Sequence, residues 1–378
     1  MFIRIFQRFI KSESASGIVL CMTALLAFTI ANSSFSTQYQ ALTEPLLHWV
    51  NDCLMTLFFL MVGLGIKREM KEGELNSTSK IILPAVAALG GMLFPALVYW
   101  ILNANNPGAL PGFGIPVATD IAFSLGVLSL LGSRVPLSLK VFLTALAIFD
   151  DLGAIILIAL FYTNNLAPIP LLLAGGCILC LLALPRLKIN SLIPYLTTGC
   201  FLWFFILKSG VHATLAGVIL AFLIPATALN DSSVSLLHRL EGYLLNWVAY
   251  LILPIFAFMN AGITLTGISL SQLMNPIVLG VAFGLFLGKQ IGVTLSTFIV
   301  VKSGLAPMPR DSNWMGVYGI ALICGIGFTM SFFVSSLAFP NLNSTDLAFA
   351  KTGVLIGSGL SGIVGFLVLR FLPIRRLS

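Results

Sequence analysis

Four aspartates and one lysine lie inside stretches of the sequence that are otherwise apolar. The aspartates are Asp52, Asp120, Asp150 and Asp151, and the basic residue is Lys289. A charged side chain at the centre of a bilayer costs about 2.5–3.5 kcal/mol on insertion scales, so five unrelated occurrences would cost on the order of 10 kcal/mol or more. Such groups are expected to compensate one another and to serve the passage of an ion or a proton.

Asp150 and Asp151 form the strongest candidate site, because they are adjacent near the middle of one apolar stretch. Neighbouring residues on a helix point about 100° apart, so both carboxylates can border one cavity without sharing a single proton. A hard monovalent cation binds several oxygen atoms, and carboxylates with a nearby hydroxyl such as that of Thr119 supply them. The pattern predicts a site that a cation and protons occupy in turn. The alternative interpretation is a buried ion-pair network without a transported ligand.

Two interruptions of apolar stretches predict broken helices. Residues 114–120 place a proline and two polar residues inside one stretch, and residues 324–329 place two glycines inside another. Broken backbone in a membrane survives only against protein or a water-filled cavity. The helix ends that meet there carry partial charges, so we expect Asp120 to compensate the N-terminal ends and Lys289 the C-terminal ends. Lys289 is also expected to pair with Asp150 or Asp151.

The elements that must position these residues are membrane-spanning helices. Of the 378 residues, 58% are hydrophobic and 9% are charged, whereas soluble domains carry about 25% charged residues. Apolar runs long enough to cross a bilayer recur along the sequence. We predict an all-α polytopic membrane protein with about twelve spans: 17–33, 46–66, 81–102, 113–132, 137–162, 169–185, 192–207, 210–225, 241–263, 276–301, 315–338 and 352–371.

The interruptions fall in the fourth and eleventh spans, the middle members of spans 3–5 and 10–12. Corresponding breaks in two three-helix units indicate an inverted-repeat transporter, with the broken helices crossing near mid-membrane. The tenth span carries small residues at every fourth position, which predicts close approach of another helix beside Lys289. These small residues are Gly280, Gly284, Gly288, Gly292 and Ser296. Without a long polar insertion, residues 1–378 are expected to form a single membrane domain.

The net charge of +7 reports topology rather than a nucleic-acid partner. With a cytoplasmic N-terminus, every Lys and Arg falls on the inside except Lys208, Lys351 and the intramembrane Lys289. This bias satisfies the positive-inside rule and predicts that both termini are cytoplasmic. The six cysteines all fall within predicted spans and are expected to be packing residues, so no disulfide framework is implied.

Two classes of membrane protein other than transporters, an intramembrane protease and a channel, fit the sequence less well. An intramembrane aspartyl protease needs two carboxylates from separate helices, typically in a Gly-x-Gly-Asp pattern that neither Asp120 nor Asp150 has. Fixed buried charges between broken helices favour alternating access over a channel. A transporter of similar fold for another substrate remains the alternative, although an organic anion would call for a cationic pocket. We therefore expect a transporter and not an enzyme.

Several motifs together resemble one known family over almost the whole length of the sequence. They are ATDIAF at 118–123, GSRVP at 132–136, FDDLGA at 149–154, KSGVHATLAG at 208–217 and CGIGFTM at 324–330. By these motifs the sequence resembles the NhaA-type sodium/proton antiporters. The resemblance implies electrogenic exchange of Na⁺ or Li⁺ for a larger number of protons at a bacterial inner membrane, with alternating access and without a cofactor.

The resemblance also implies roles for single residues. Asp150 and Asp151 match the cation-binding aspartates, and Lys289 matches the lysine that pairs with the first of them. Thr119 and Asp120 match the family's pair of residues at the break of the fourth span. Asp52 matches an acidic residue near the outer end of the ion pathway. Positions linked to a cytoplasmic pH response are matched by Glu69, Arg239, Glu241 and His212.

Two departures from the family concern regulation and assembly. Gly65, Gly242 and Leu245 stand where the family has a glutamate and histidines, which leaves the pH profile open. Residues 34–45 form a short link where the best-known members have an external β-hairpin that joins two protomers. We therefore expect at most a weak homodimer, with the lipid bilayer, Na⁺, Li⁺ and H⁺ as the other partners.

Overall fold

The computed structural model describes residues 15–73, 78–163, 166–227, 234–264, 270–341 and 344–371, and these form helices and connections without a strand. The two tails, 1–14 and 372–378, for which we predict a cytoplasmic location, lie outside the described residues. The α-helices in chain order are α1 (Ala15–Ala31), α2 (Ser36–Trp49), α3 (Met55–Glu72), α4 (Thr78–Asn103), α5 (Ile121–Leu130), α6 (Leu137–Phe161), α7 (Pro168–Arg186), α8 (Leu192–Ser209), α9 (Thr214–Leu223), α10 (Leu236–Trp247), α11 (Leu253–Asn260), α12 (Leu270–Leu273), α13 (Pro276–Phe283), α14 (Lys289–Lys302), α15 (Trp314–Ile323), α16 (Phe328–Ala338) and α17 (Thr345–Arg370).

Short segments of other helical types interrupt or join these helices. Residues Val50–Leu54, Val248–Ile252 and Gly284–Gly288 are π-helical, and Leu110–Val117 and Gly132–Arg134 are 3₁₀-helical. Single π-helical turns inside α-helices occur frequently at functional sites. Two of the predicted site residues lie at such turns, since Asp52 is inside the first and Lys289 directly follows the third.

The described helices confirm an all-α multi-pass membrane protein. Nine helical elements are long and apolar enough to cross a membrane, and α15 with α16, bent by 46°, makes a tenth. Two shorter apolar helices, α1 and α9, lie at the positions of the predicted first and eighth spans.

Two predicted boundaries are wrong. The predicted link at 34–45 is helical from Ser36 onward, and it belongs to one helical element, Ser36–Glu72, that contains an apolar stretch long enough to cross a membrane. Tyr39, Thr43 and Leu47 recur every four residues and are each less than a tenth exposed, so a buried face stabilises a helix that is polar overall. The last helix begins at Thr345 rather than 352, because the Ser344 hydroxyl accepts the Leu347 N–H at 3.2 Å and caps it.

The described residues cluster into two compact units. The first contains residues from 1–41, 77–154 and 257–378. In it α14 packs along α4 so closely that a Cβ added to Gly292 would lie 2.2 Å from the Gly90 carbonyl oxygen. The close approach predicted from the small residues of the tenth span is thus confirmed.

The second unit contains residues from 42–76 and 155–256. Here α3 packs against α9, and a Cβ added to Gly217 would lie 2.3 Å from the Thr56 carbonyl oxygen. A cluster of buried side chains, among them Leu64, Tyr195 and Leu202, forms its core. The unit is therefore held both by close backbone packing of α3 against α9 and by apolar side chains.

Candidate ion-binding site

The first break lies in the first unit, between the 3₁₀ helix Leu110–Val117 and α5. Pro116 lacks the N–H that would continue a helix, and the backbone is extended at Ala118 and again at Asp120. Helix α5 then begins because the Asp120 carboxylate accepts the N–H of Phe123 at 2.9 Å. The break confirms the predicted interruption and leaves Thr119 fully buried.

The second break separates α15 from α16, also in the first unit. A Cβ added to Gly325 would lie 2.4 Å from the Leu285 carbonyl oxygen. A Cβ added to Gly327 would lie 3.1 Å from the carbonyl oxygen of Ala118, which belongs to the first break. Glycine is needed at both positions because other backbone segments approach them closely.

The two breaks supply one another's missing hydrogen bonds. The Asp120 N–H donates to the Ile326 carbonyl at 2.7 Å. In return the Asp120 carboxylate accepts the N–H and the hydroxyl of Thr329, at 3.0 and 2.5 Å, near the start of α16. The hydroxyl of Thr119 lies 2.8 Å from the Cys324 carbonyl oxygen, at the end of α15. Buried helix ends that lack intrahelical partners are thereby satisfied from the other break.

Asp150 on α6 is the centre of a buried hydrogen-bond network. Its Oδ2 atom lies 2.5 Å from Lys289 Nζ and 2.7 Å from Thr119 Oγ1. All three side chains are fully buried. Of the two aspartates considered as partners of Lys289, the structure pairs Asp150. The single proton of the Thr119 hydroxyl also has two acceptors within reach, Asp150 Oδ2 and the Cys324 carbonyl.

Asp151 is fully buried, yet neither of its carboxylate oxygens has a hydrogen-bond partner in the described part of the chain. The same holds for Asp150 Oδ1. Buried polar atoms are nearly always hydrogen-bonded, because leaving one unsatisfied costs about 1–3 kcal/mol and more for a charged group. These three oxygens are therefore suited to hold either protons or a cation.

Two of the residues that build the site carry no predicted role from the sequence. Thr329 lies within the second interruption, where its position opposite Asp120 could have been inferred from the paired breaks. Ser358 on α17 accepts the N–H groups of Gly327 and Phe328, each at 3.2 Å, and so caps α16 from a neighbouring helix. No local sequence pattern marks Ser358.

Asp52 lies in the second unit with its side chain 32% exposed. Its backbone carbonyl accepts the indole N–H of Trp203 at 3.3 Å. The Nε2 atom of His212 lies 3.8 Å from an Asp52 carboxylate oxygen, and the other ring nitrogen of His212 lies 2.8 Å from Thr214 Oγ1. His212 is in the connection between α8 and α9, where burial lowers its pKa to about 4. The imidazole is therefore neutral at neutral pH.

Glu69 and Glu241, two of the residues matched to a pH response, are brought together in the second unit by Arg68. Its two terminal nitrogens lie 3.1 Å from Glu69 and 3.0 Å from Glu241. Arg239 is exposed and forms no ion pair with a described residue. His212 lies beside Asp52. Asp52 precedes Glu69 by 17 residues, which is about 25 Å along the helix. The four residues thus do not form one cluster.

Comparison with known proteins shows consistent similarity. The family described as Na⁺/H⁺ antiporter 1 matches residues 7–369. The chain is 51% identical over 373 residues to the Na(+)/H(+) antiporter NhaA of Nitrobacter hamburgensis, covering 97% of this chain and 91% of the relative. It is 52% identical over 375 residues to the Na(+)/H(+) antiporter NhaA 1 of Pseudomonas savastanoi pv. phaseolicola, covering 97% and 95%.

A solved structure supports the fold. The sodium proton antiporter MjNhaP1 from Methanocaldococcus jannaschii, determined at pH 8, aligns with a TM-score of 0.55 over 96% of this chain and 93% of that one. The sequence identity is 17%, so this likeness concerns the fold alone.

Proposed function

The chain belongs to the Na⁺/H⁺ antiporter 1 family, and from this premise we propose that it exchanges cytoplasmic Na⁺ or Li⁺ for external H⁺. Its relatives at about half identity are named as antiporters, which are transporters rather than enzymes. The observation that carries the proposal is Asp151, a fully buried carboxylate whose two oxygens have no hydrogen-bond partner in the described residues.

The cation is the transported substrate, and the chain offers it oxygen atoms only. Asp151 contributes two oxygens and Asp150 contributes Oδ1. Thr119 Oγ1, 2.7 Å from Asp150 Oδ2, and the Cys324 carbonyl oxygen, 2.8 Å from Thr119 Oγ1, add further oxygens of the kind that hard cations bind. The positive charge of a bound cation would compensate carboxylates that are costly to bury alone.

Exchange follows because protons and the cation compete for the same oxygens. A protonated carboxyl is neutral and binds a cation weakly, whereas the ionised carboxylate binds it well. Proton uptake and cation release are then one event. The ammonium group of Lys289 lies 2.5 Å from Asp150. A cation that binds Asp150 would displace this ammonium group. The two aspartates carry more protons than cations in each cycle. Net charge therefore crosses the membrane, and exchange is electrogenic.

For the architecture we propose twelve spans arranged as inverted repeats, with the ten long elements joined by α1 and α9. Reciprocal hydrogen bonds at the breaks support this pattern. Ser124 on α5 donates to the Ile323 carbonyl at 3.3 Å, at the end of α15. Ser331 on α16 donates to the Ile115 carbonyl at 2.8 Å, near the end of the 3₁₀ helix. Each downstream half thus braces the upstream half of the other repeat.

The remaining assignments belong to the same proposal. Residues 1–378 act as one transporter in a bacterial inner membrane, with both termini cytoplasmic, no cofactor and at most a weak homodimer. Asp52, partly exposed beside His212, serves the ion pathway. Glu69 and Glu241, joined by Arg68, serve the pH response together with Arg239 and His212. Asp120 compensates the N-terminal end of α16, whose Thr329 N–H it accepts.

The experiment that tests the exchange uses everted membrane vesicles that carry a pH-sensitive dye. Sodium added after a proton gradient has formed is expected to dissipate the gradient, and Asp151→Asn is expected to abolish this response. Asp311→Asn is the matched control, because Asp311 is exposed and asparagine tolerates its positive φ of 55°. If Asp151→Asn exchanges sodium as well as Asp311→Asn does, the proposed site is wrong.

A further inference from the structure

An apolar groove of about 590 Å³ lies in the first unit, bordered by α1, α5 and α17. On α17 its lining extends from Leu355 to Leu367. Leu367 lies 12 helical rises, or about 18 Å, beyond Leu355, and one leaflet of a bilayer's hydrocarbon core is about 15 Å thick. The groove therefore has the length of one leaflet.

The groove lies at the exposed surface of these helices, and on α17 its lining is lowered at Gly359 and Gly362. Leu130 and Ile363 at its edges are 60% and 64% exposed. Gly359 lines it, and a Cβ added there would meet no atom within 4 Å. An extended apolar chain would fit in the groove along Gly359. It would also touch Ser358 on α17 and Phe328 at the start of α16.

One end of the groove carries two arginines. Arg370 ends α17, and its guanidinium lies 6.0 Å from the ring centroid of Phe366, which lines the groove. Arg134 follows α5, whose Leu130 lines the groove, and donates to the Arg370 carbonyl at 2.9 Å. Neither guanidinium forms an ion pair with a described residue. Basic residues at the inside end of a span attract anionic lipid headgroups.

We propose that this groove is a binding site for an anionic phospholipid, with one acyl chain along Gly359 and the headgroup phosphate between Arg134 and Arg370. Length, apolar lining and the position of the charges all match a lipid of the cytoplasmic leaflet. A guanidinium recognises phosphate oxygens through charge-assisted hydrogen bonds, which gives the site its preference for anionic over zwitterionic lipid. The bound chain supports the capped start of α16 from the membrane side.

The test is photocrosslinking in liposomes of phosphatidylcholine that contain a trace of lipid with a photoreactive acyl chain. The headgroup of the probe is either phosphatidylglycerol or phosphatidylcholine, and peptide mass spectrometry measures labelling of residues 355–367. We expect about 30-fold more labelling by the phosphatidylglycerol probe, because each of the two basic residues near the headgroup contributes about 1 kcal/mol. The readout needs no sodium or proton gradient, so it is independent of the proposed exchange.

Two variants separate the two parts of the site. Arg134→Gln with Arg370→Gln is expected to equalise the two probes, and Gly359→Leu is expected to reduce labelling by both several-fold because it fills the groove. The matched controls lie on α7: Arg186→Gln removes a basic residue at a helix end, and Gly176→Leu adds a side chain at a glycine with open space. Neither control should change the labelling.

Three outcomes would overturn the proposal. The first is equal labelling by the two probes in the parent protein. The second is labelling of residues 355–367 that Gly359→Leu does not reduce. The third is crosslinking of this segment to a second copy of the chain in place of lipid, which would make the groove a protein interface. Because the glycine variant leaves the arginines intact, the test survives if the arginine variant fails to fold.

Discussion

Replacing Lys289 with methionine tests whether the buried ion pair is what keeps Asp150 stable in the interior. The change removes the ammonium 2.5 Å from Asp150 Oδ2 and keeps a long side chain that can pack. Asp150 would retain only the Thr119 hydroxyl as a donor. Removing one partner of a buried ion pair typically costs about 3–5 kcal/mol, because the other charge is left uncompensated. We expect a loss of that size at alkaline pH and a smaller one at acidic pH, where a proton takes the place of the ammonium.

The measurement is a double-mutant cycle with Asp150→Asn, read as the free energy of unfolding in detergent micelles. Removing both charges is often nearly neutral, so the double variant should recover about 2–3 kcal/mol relative to the sum of the single losses. Lys302→Met on the same helix is the control. Lys302 is exposed and its Nζ atom lies 5.8 Å from the centroid of the Phe298 ring, so its loss should cost less than about 1 kcal/mol. Unchanged stability of Lys289→Met at alkaline pH, or strictly additive single losses, would refute the reasoning.

Two further predictions concern packing and titration. Gly292→Ala should lower the free energy of unfolding, measured by thermal melting, by about 1–3 kcal/mol, because the added Cβ would lie 2.2 Å from the Gly90 carbonyl oxygen. Gly65→Ala, where a Cβ meets nothing within 4 Å, should be neutral or stabilising by up to about 1 kcal/mol in the same melting experiment. Burial lowers the pKa of His212 from 6.5 to about 4. Between these pH values the imidazole is protonated in the unfolded chain but not in the folded one, so the free energy of unfolding falls as pH drops from 6.5 to about 4. His212→Gln should flatten this slope in unfolding titrations between pH 6.5 and 4, and an unchanged slope would contradict the assignment.

The sequence predicts most spans well, because bilayer crossing requires a continuous apolar run that hydropathy reveals directly. It fails where a helix continues beyond such a run. Residues 36–45 are polar overall, and their helix is stabilised by one buried face, which only the folded structure supplies. The helix that begins at Thr345 likewise depends on its Ser344 cap, a short-range signal inside a polar segment.

The sequence also identifies the charged residues of the site, because each is conspicuous in an apolar run. The residues alone leave the partner of Lys289 open, since Asp150 and Asp151 are adjacent and only the rotation of α6 decides between them, whereas the family resemblance implies Asp150. The hydrogen bonds between the two breaks join residues about 200 positions apart, such as Thr119 and Cys324. No local pattern specifies such contacts, so the role of Ser358 emerges only from the structure. Thr329 could have been placed opposite Asp120 only by pairing the two interruptions with each other.

The mutual capping of the two breaks has a consequence for biosynthesis. Asp120 and Thr329 are separated by 209 residues, and ribosomes add about 5–20 residues per second. The first break therefore enters the membrane some 10–40 s before the segment that satisfies it exists. Through that interval the newly inserted half has an acidic side chain and free helix ends without their final partners. Correct assembly thus depends on keeping the early half shielded from hydrocarbon until translation delivers its counterpart.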